Sequence, residues 1–135
     1  MNATIIPDAI KICVLYIDDE QHNLTAFKAT FRKYFTVYLA TSIWDGKQIL
    51  DKNMIHVLLI DHTMLIKICN GDLSGIIKKY SRQETILLTT FADVPYLENA
   101  ISKGKIHSYF QKPWDDVKLK KAIEEAYNIL NEKTD

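Results

Sequence analysis

The sequence predicts an α/β protein in which a parallel sheet is covered by helices on both faces. Five short apolar runs alternate with segments whose apolar residues recur at helical spacing. The third run, His56–Asp61, contains four uninterrupted aliphatic residues, which is typical of a strand buried on both faces of a parallel sheet. Such alternation implies right-handed crossovers, and these keep neighbouring strands parallel.

The strands are predicted from their apolar and β-branched residues. Each is short, and polar residues follow most of them. The predicted strands are residues 11–17, 35–40, 56–61, 85–88 and 107–111.

The first two helices are predicted from apolar periodicity. Leu24, Phe27 and Phe31 mark the first helix at spacings i, i+3 and i+7. The second extends from Ser42, a plausible N-cap, to about Lys52. Its apolar side is predicted to be Trp44, Ile49 and Leu50.

Residues 62–71 are predicted to be a loop, and three helices are predicted after it. The fourth helix starts near Asp93, has Pro95 in its first turn, and stops at Gly104. Asp115 or Asp116 caps the fifth. The apolar positions of the third helix are Leu73, Ile76, Ile77 and Tyr80, and those of the fifth are Leu119, Ala122, Ile123, Ala126, Ile129 and Leu130.

Length indicates one domain over residues 1–135, and the N-terminal residues and the cysteines indicate a cytoplasmic protein. Seventeen basic and seventeen acidic residues balance, which argues against a broad electrostatic surface for nucleic acid. The N-terminal residues lack a basic region and a long apolar stretch, so neither secretion nor membrane insertion is expected. Cys13 and Cys69 are expected to be two thiols.

Two common nucleotide-binding motifs are absent from the sequence. The first strand-to-helix turn contains no glycine, so a G-x-G-x-x-G dinucleotide site is excluded there, and no G-x-x-x-x-G-K-[ST] phosphate loop occurs. The alternation alone fits either a flavodoxin-like or a Rossmann-like strand order.

Polar residues follow four of the five strands. Asp18 and Asp19 follow the first, Asp61 ends the third, and Thr89 and Lys112 follow the fourth and fifth. Because parallel strands end at one edge of a sheet, these side chains are expected to converge although they are distant in sequence.

This set of residues favours phosphoryl chemistry. Three neighbouring carboxylates repel one another unless a cation is present, and few oxygen ligands suit Mg²⁺. A carboxylate can accept a phosphoryl group as an aspartyl-phosphate. Lys112 offers a charge and Thr89 a hydroxyl for the phosphoryl oxygens.

Each of these residues taken alone has an ordinary explanation. An isolated Asp18-Asp19 pair is more often a helix N-cap, and most lysines are solvated. Likewise His56, His62 and His107 lack zinc spacing and are expected at the surface or in loops. Trp44 and Trp114 are expected to be packing residues.

Together the motifs resemble the receiver domain of response regulators, the phospho-accepting module of two-component signalling. The resemblance covers residues 10–130. It implies a flavodoxin-like sheet with strand order 2-1-3-4-5. It rests on Asp18-Asp19-Glu20, on Asp61 with Met64, on Thr89, and on Lys112-Pro113 after Tyr109-Phe110-Gln111.

The resemblance implies roles for individual residues. Asp61 would be the phosphoacceptor and Lys112 its counter-charge. Asp19 would bind Mg²⁺ directly, Asp18 largely through water, and the backbone carbonyl of Thr63 would complete the protein ligands.

Switching roles are implied for two further residues, Thr89 and Tyr109. Thr89 would bond a phosphoryl oxygen, and Tyr109 would change its burial in response. The bond between Lys112 and Pro113 would be cis.

The implied partners are a histidine kinase or phosphotransfer protein and a downstream effector or fused output domain. The resemblance also allows a homodimer through helix four, strand five and helix five. It implies no direct contact with nucleic acid or membrane. The domain would catalyse its own phosphorylation and dephosphorylation, and its function would be signalling.

One segment departs from the pattern, and two alternatives stay open. Leu65 stands where receivers usually have proline, and the predicted loop Leu65–Asn70 is longer than usual. The first alternative is a receiver-like interaction module that signals without phosphorylation. The second is a hydrolase with an aspartyl nucleophile, which would usually have a second acid at the position of Thr63.

Overall fold

The structure is a computed structural model that describes residues 11–69, 83–90, 94–103 and 106–134. These residues form alternating strands and helices, numbered here in chain order. The strands are β1 (Cys13–Ile17), β2 (Thr36–Ala40), β3 (Val57–Asp61), β4 (Glu84–Thr89) and β5 (Ser108–Gln111). The helices are α1 (Gln21–Phe31), α2 (Ile43–Lys52), α3 (His62–Cys69), α4 (Val94–Ser102) and α5 (Asp116–Thr134).

The five strands form one parallel sheet in the order β2-β1-β3-β4-β5. The predicted flavodoxin-like order is therefore confirmed. The register pairs Ile17 of β1 with Ile60 of β3, and Asp61 with Leu88 of β4. Asp18 and Asp61 consequently lie at the same edge of adjacent central strands, which we call the carboxyl edge.

The core lies on both faces of the sheet because side chains of each strand alternate between them. On one face, Leu15 and Ile17 pack with apolar residues of α2, α3 and α4. On the other face, Val14 and Tyr16 pack with residues of α1 and α5. The second face is rich in aromatic rings: Tyr16, Phe27, Phe31, Phe35, Phe110 and Trp114.

The segment after β3 corrects the sequence-based prediction. Residues 62–71 were predicted to be a loop, but His62–Cys69 form the α-helix α3. Leu65, which replaces the usual proline, carries the backbone N–H that a helix requires and proline lacks. Met64 and Leu65 are 3% and 0% exposed, and this burial stabilises the helix despite its β-branched residues.

Polar side chains define the starts of two helices as predicted. The Ser42 hydroxyl accepts a hydrogen bond from the N–H of Asp45 at 3.1 Å. The carboxylate of Asp115 accepts one from the N–H of Lys118 at 3.0 Å, so Asp115 rather than Asp116 caps α5.

Helix α2 packs closely on β1, which changes its predicted apolar side. Gly46 lies against Ile17, and a Cβ at this position would overlap the Ile17 side chain. The buried residues of α2 are Ile43, Gly46 and Leu50. Trp44 is 70% exposed, so its predicted packing role is wrong.

At the opposite, amino edge of the sheet, a histidine joins β1 to β3. The Nδ1 atom of His56 accepts a hydrogen bond from the N–H of Cys13 at 2.9 Å, and the His56 ring packs edge-on against Tyr127. His62, in contrast, is 2% exposed and is the first residue of α3. The prediction of a surface or loop position is therefore wrong for His62, whereas the half-buried His56 and His107 directly precede β3 and β5, outside the strands, as predicted. Cys13 is a free thiol, as predicted.

Some predictions fall beyond the described residues. The predicted third helix around residues 73–80 and the predicted end of the fourth helix at Gly104 both lie outside them. Within the described part of the chain, none of the helices has the length and apolar character needed to span a bilayer.

Candidate functional site

Lys112 joins two carboxylates at the carboxyl edge of the sheet. It directly follows β5, while Asp18 follows β1 and Asp61 ends β3. The Lys112 ammonium lies 2.7 Å from Oδ2 of Asp18 and 3.4 Å from Oδ1 of Asp61. Residues separated by up to 94 positions in sequence are thus in direct contact. The peptide bond between Lys112 and Pro113 is cis, as the resemblance implies.

The carboxylate of Asp18 is fully buried and densely hydrogen-bonded. Its Oδ2 atom accepts from Lys112, from the Tyr16 hydroxyl at 2.5 Å and from the Asn23 amide at 3.2 Å. Its Oδ1 atom accepts from the N–H of Glu20 at 2.9 Å. These bonds replace the water that the charged group loses on burial.

The two buried carboxylates have opposite electrostatic environments. Burial raises the pKa of Asp18, but hydrogen bonds from Lys112, Tyr16 and the Glu20 N–H outweigh it, so the net shift is downward. For Asp61, burial and the nearby charge of Asp18 outweigh the attraction of Lys112 and raise the pKa. Asp18 is therefore held as an anion, whereas the charge on Asp61 is opposed.

Three carboxylates form a group that fits a divalent cation. One oxygen each of Asp18, Asp19 and Asp61 lies within 4.8 Å of the others. Asp19 is exposed, so the group opens to solvent. A hard cation such as Mg²⁺ matches this all-oxygen set and would offset the repulsion that acts on Asp61.

The remaining predicted residues lie around this group. Thr89 ends β4 and is fully buried, and its carbonyl accepts from the N–H of Lys112 at 2.7 Å. The N–H of Thr63 donates to Oδ1 of Asp61 at 3.3 Å. Thr63 is the second residue of α3, so its carbonyl belongs to a helix. Tyr109 of β5 is half-buried and packs against the cluster that contains Leu97 of α4.

Two contacting residues, Tyr16 and Asn23, were not predicted from the sequence. Tyr16 precedes Asp18 by two positions, and such residues share one side of a strand. A tyrosine inside an apolar strand needs a partner for its hydroxyl, and this signal could have identified the contact. Asn23 projects from α1, so its contact depends on helix placement that the sequence does not specify.

A family model and a known protein each match most of this chain. The family model described as "Response regulator receiver domain" matches residues 14–124. The hydrogenase transcriptional regulatory protein HoxA of Bradyrhizobium diazoefficiens is 20% identical over 121 residues, which cover 90% of this chain and 25% of that protein. The chain thus spans a quarter of the length of this relative.

Solved structures show the same fold. The signal receiver domain of an HD domain-containing protein from Pseudomonas fluorescens Pf-5 superposes with a TM-score of 0.79 at 22% identity, covering 91% of this chain and 99% of that one. A response regulator receiver domain protein from Clostridium thermocellum gives 0.75 at 28% identity, with 87% and 94% covered. Because the family model matches most of its length, the chain belongs to the response regulator receiver domain family.

Proposed function

We propose that Asp61 accepts a phosphoryl group in a Mg²⁺-dependent reaction and that this switches a protein-interaction surface in the cytoplasm. The observation that supports this most strongly is the position of Asp61. It is 6% exposed, its charge is opposed by burial and by Asp18, and Lys112 lies 3.4 Å away. The negative charge of Asp61 is therefore incompletely compensated. A bound cation would stabilise it, and carboxylates with perturbed pKa values are common at reactive sites.

The donor would be a phosphohistidine of a histidine kinase or phosphotransfer protein. A carboxylate oxygen of Asp61 attacks the phosphorus atom and forms an O–P bond. The P–N bond breaks, and the histidine nitrogen leaves with the electron pair and takes up a proton. Hydrolysis of the resulting aspartyl-phosphate by water returns Asp61 and inorganic phosphate.

Asp18, Asp19 and the backbone carbonyl of Thr63 would hold the metal together with Asp61. When bound, Mg²⁺ neutralises negative charge on the carboxylates and on the phosphoryl oxygens. Asp18 already uses both oxygens for hydrogen bonds, which favours contact with the ion through water. Asp19 is exposed and suits direct contact.

Lys112 and Thr89 would recognise the phosphoryl group. The Lys112 ammonium is shared between Asp18 and Asp61, and it would move toward the added negative charge. The Thr89 hydroxyl would donate to a phosphoryl oxygen. Thr89 and Lys112 are joined through their backbones, so movement of one is passed to β5.

The switched surface would include Tyr109, α4 and α5. Tyr109 packs against the core cluster that contains Leu97 of α4, so a shift after Thr89 would alter its burial. The switched surface would act on a downstream effector or a fused output domain. The same surface, formed by α4, β5 and α5, could also mediate homodimerisation. HoxA is described as a transcriptional regulatory protein, which is consistent with a receiver acting on an output domain.

Acetyl phosphate with Mg²⁺ tests the phosphoacceptor directly. Intact mass spectrometry should show one added phosphoryl group in the wild type and none in Asp61→Asn. Chelation of Mg²⁺ should abolish the addition as well. The control is Glu124→Gln, which alters a partly exposed carboxylate on α5 and should be phosphorylated like the wild type. Equal phosphorylation of the wild type and Asp61→Asn would refute the assignment.

One observation favours a second function, signalling by binding without phosphorylation. Helix α3 begins directly after Asp61, so the carbonyl of Thr63 lies in the first turn of a helix. Helical carbonyls ordinarily accept intrahelical hydrogen bonds and are poor metal ligands. A calorimetric titration in which Mg²⁺ does not bind the wild type, together with no phosphorylation, would favour this second function.

A further inference from the structure

Oδ2 of Asp18 receives more hydrogen bonds than the reaction itself explains. Among the described residues, its side-chain donors are Lys112 at 2.7 Å, Tyr16 at 2.5 Å and Asn23 at 3.2 Å. Lys112 has a proposed role toward the phosphoryl group. Tyr16 and Asn23 do not, yet they contact the same atom of a buried carboxylate.

The Tyr16 hydroxyl is held in a fixed position. Tyr16 is 0% exposed, and its ring packs edge-on against Phe27 at 5.0 Å and Trp114 at 6.0 Å between centroids. Packing on both neighbours restricts rotation of the ring, so the hydroxyl cannot leave Asp18 without displacing them. A fixed donor of this kind orients its acceptor.

The Asn23 amide donates to the same atom, Oδ2 of Asp18, from helix α1. Asn23 lies on α1 and is half-buried, whereas Tyr16 lies within β1. The two donors therefore fix Asp18 between a strand and a helix. Lys112 has the most rotatable side chain of the three donors, with four rotatable bonds, and its ammonium is shared with Asp61, so it is the donor that can turn to a new partner.

We infer that Tyr16 and Asn23 are positioning residues that orient Asp18 for cation binding and keep it fixed when Lys112 moves to the phosphoryl group. This inference rests on the proposed function. It assigns Tyr16 the larger part, since its hydroxyl is buried and makes the shorter bond. Neither residue touches the transferred group, so neither is a catalytic residue.

Calorimetric titration with Mg²⁺ measures the effect without any phosphoryl transfer. Tyr16→Phe keeps the ring and removes the hydroxyl, and it should weaken Mg²⁺ binding roughly tenfold. Asn23→Ala removes a longer, partly exposed bond and should weaken binding roughly threefold. Because Asn23 is on the helix surface, this variant tests the inference even if Tyr16→Phe does not fold.

A coupling experiment separates positioning from a general structural effect. If Tyr16 acts through Asp18, Tyr16→Phe should cause no further loss of Mg²⁺ affinity in an Asp18→Asn background. Tyr127→Phe is the matched control, because Tyr127 packs on the same face of the sheet but contacts His56 at the amino edge. It should bind Mg²⁺ like the wild type.

The outcomes distinguish this inference from the proposed function. Weaker binding in Tyr16→Phe and Asn23→Ala, absent in Tyr127→Phe and lost in the Asp18→Asn background, supports the positioning role. Unchanged affinity in both variants of a wild type that binds Mg²⁺ and is phosphorylated overturns it and leaves the proposed function intact. A wild type that neither binds Mg²⁺ nor is phosphorylated overturns both.

Discussion

The two edges of the sheet hold their polar groups in different ways. At the carboxyl edge, Asp18 and Asp61 are buried with a shared lysine. At the amino edge, the His56 ring accepts a hydrogen bond from the Cys13 N–H, and burial lowers its pKa. The first edge contains buried charge, and the second uses a neutral ring to connect β1 with β3.

We interpret the carboxyl edge as the functional edge of the sheet and the amino edge as a structural connection between β1 and β3. The neutral hydrogen bond at the amino edge satisfies groups of two half-buried residues, Cys13 and His56, and needs no compensating charge. Buried charges need compensation, and at the carboxyl edge it is unequal, since Asp18 has four donors while Asp61 shares Lys112 and accepts from Thr63. We interpret the less compensated carboxylate as the reactive one.

The largest expected effect on stability comes from removing the shared cation. Lys112→Met leaves two buried carboxylates without their lysine and should lower the free energy of unfolding by about 3 kcal/mol at neutral pH. Urea denaturation measures this. The matched control is Lys120→Met on α5, where the partly exposed pair with Glu124 and the contact with the Tyr34 ring should together contribute about 1 kcal/mol. An equal decrease in the free energy of unfolding in the two variants would show that the buried pairs of Lys112 stabilise the protein no more than the pair of Lys120.

The two carboxylates should respond oppositely to neutralisation. Asp18→Asn removes a well-compensated anion and should destabilise the protein by about 2 kcal/mol at neutral pH. Asp61→Asn removes a charge that burial and Asp18 oppose, and it should stabilise the protein by about 1 kcal/mol. Urea denaturation of both variants checks the signs. Destabilisation by Asp61→Asn would contradict the conclusion that the charge of Asp61 is less well compensated than that of Asp18.

The pH dependence of the same variants follows from the pKa shifts. The pKa of Asp18 is lowered, so its stabilisation is present above the ordinary value of 3.8 and is lost as the pH falls through the folded value. The pKa of Asp61 is raised, so the folded protein retains its proton above 3.8 and loses stability as the pH rises through the folded value. In Asp61→Asn, the loss of stability with rising pH that is caused by Asp61 should be absent.

At the amino edge, we expect an effect smaller than those of Lys112→Met and Asp18→Asn. Because the pKa of His56 is lowered, the unfolded chain binds a proton first as the pH falls below 6.5, and stability decreases. His56→Asn supplies a side-chain acceptor that does not titrate. It should reduce the loss of stability between pH 7 and 5 by about 1 kcal/mol relative to the wild type, measured by urea denaturation at each pH. Identical losses would exclude His56 as the titrating group.

The sequence was most informative where patterns are local. Apolar runs specified β1, β3 and β4, and the polar residue at the end of each of these strands placed Asp18, Asp61 and Thr89 at one edge. Caps at Ser42 and Asp115 were also predictable, because they depend on neighbours within three positions.

Predictions that depended on tertiary packing were less successful. Residues 62–69 carry weak helical propensity, and burial of Met64 and Leu65 makes them helical. Trp44 looked like a core residue, but close contact between Gly46 and Ile17 turns a different side of α2 inward. Donors to Asp18 come from two elements, so their convergence required the assembled sheet.

The site of phosphorylation is the most direct test of the central claim that Asp61 is the reactive carboxylate. After reaction with acetyl phosphate and Mg²⁺, borohydride reduces an aspartyl-phosphate to homoserine, and peptide mapping locates the change. We predict homoserine at position 61 and unmodified aspartate at positions 18 and 19. Homoserine at position 18 or 19, or at no position, would contradict the account.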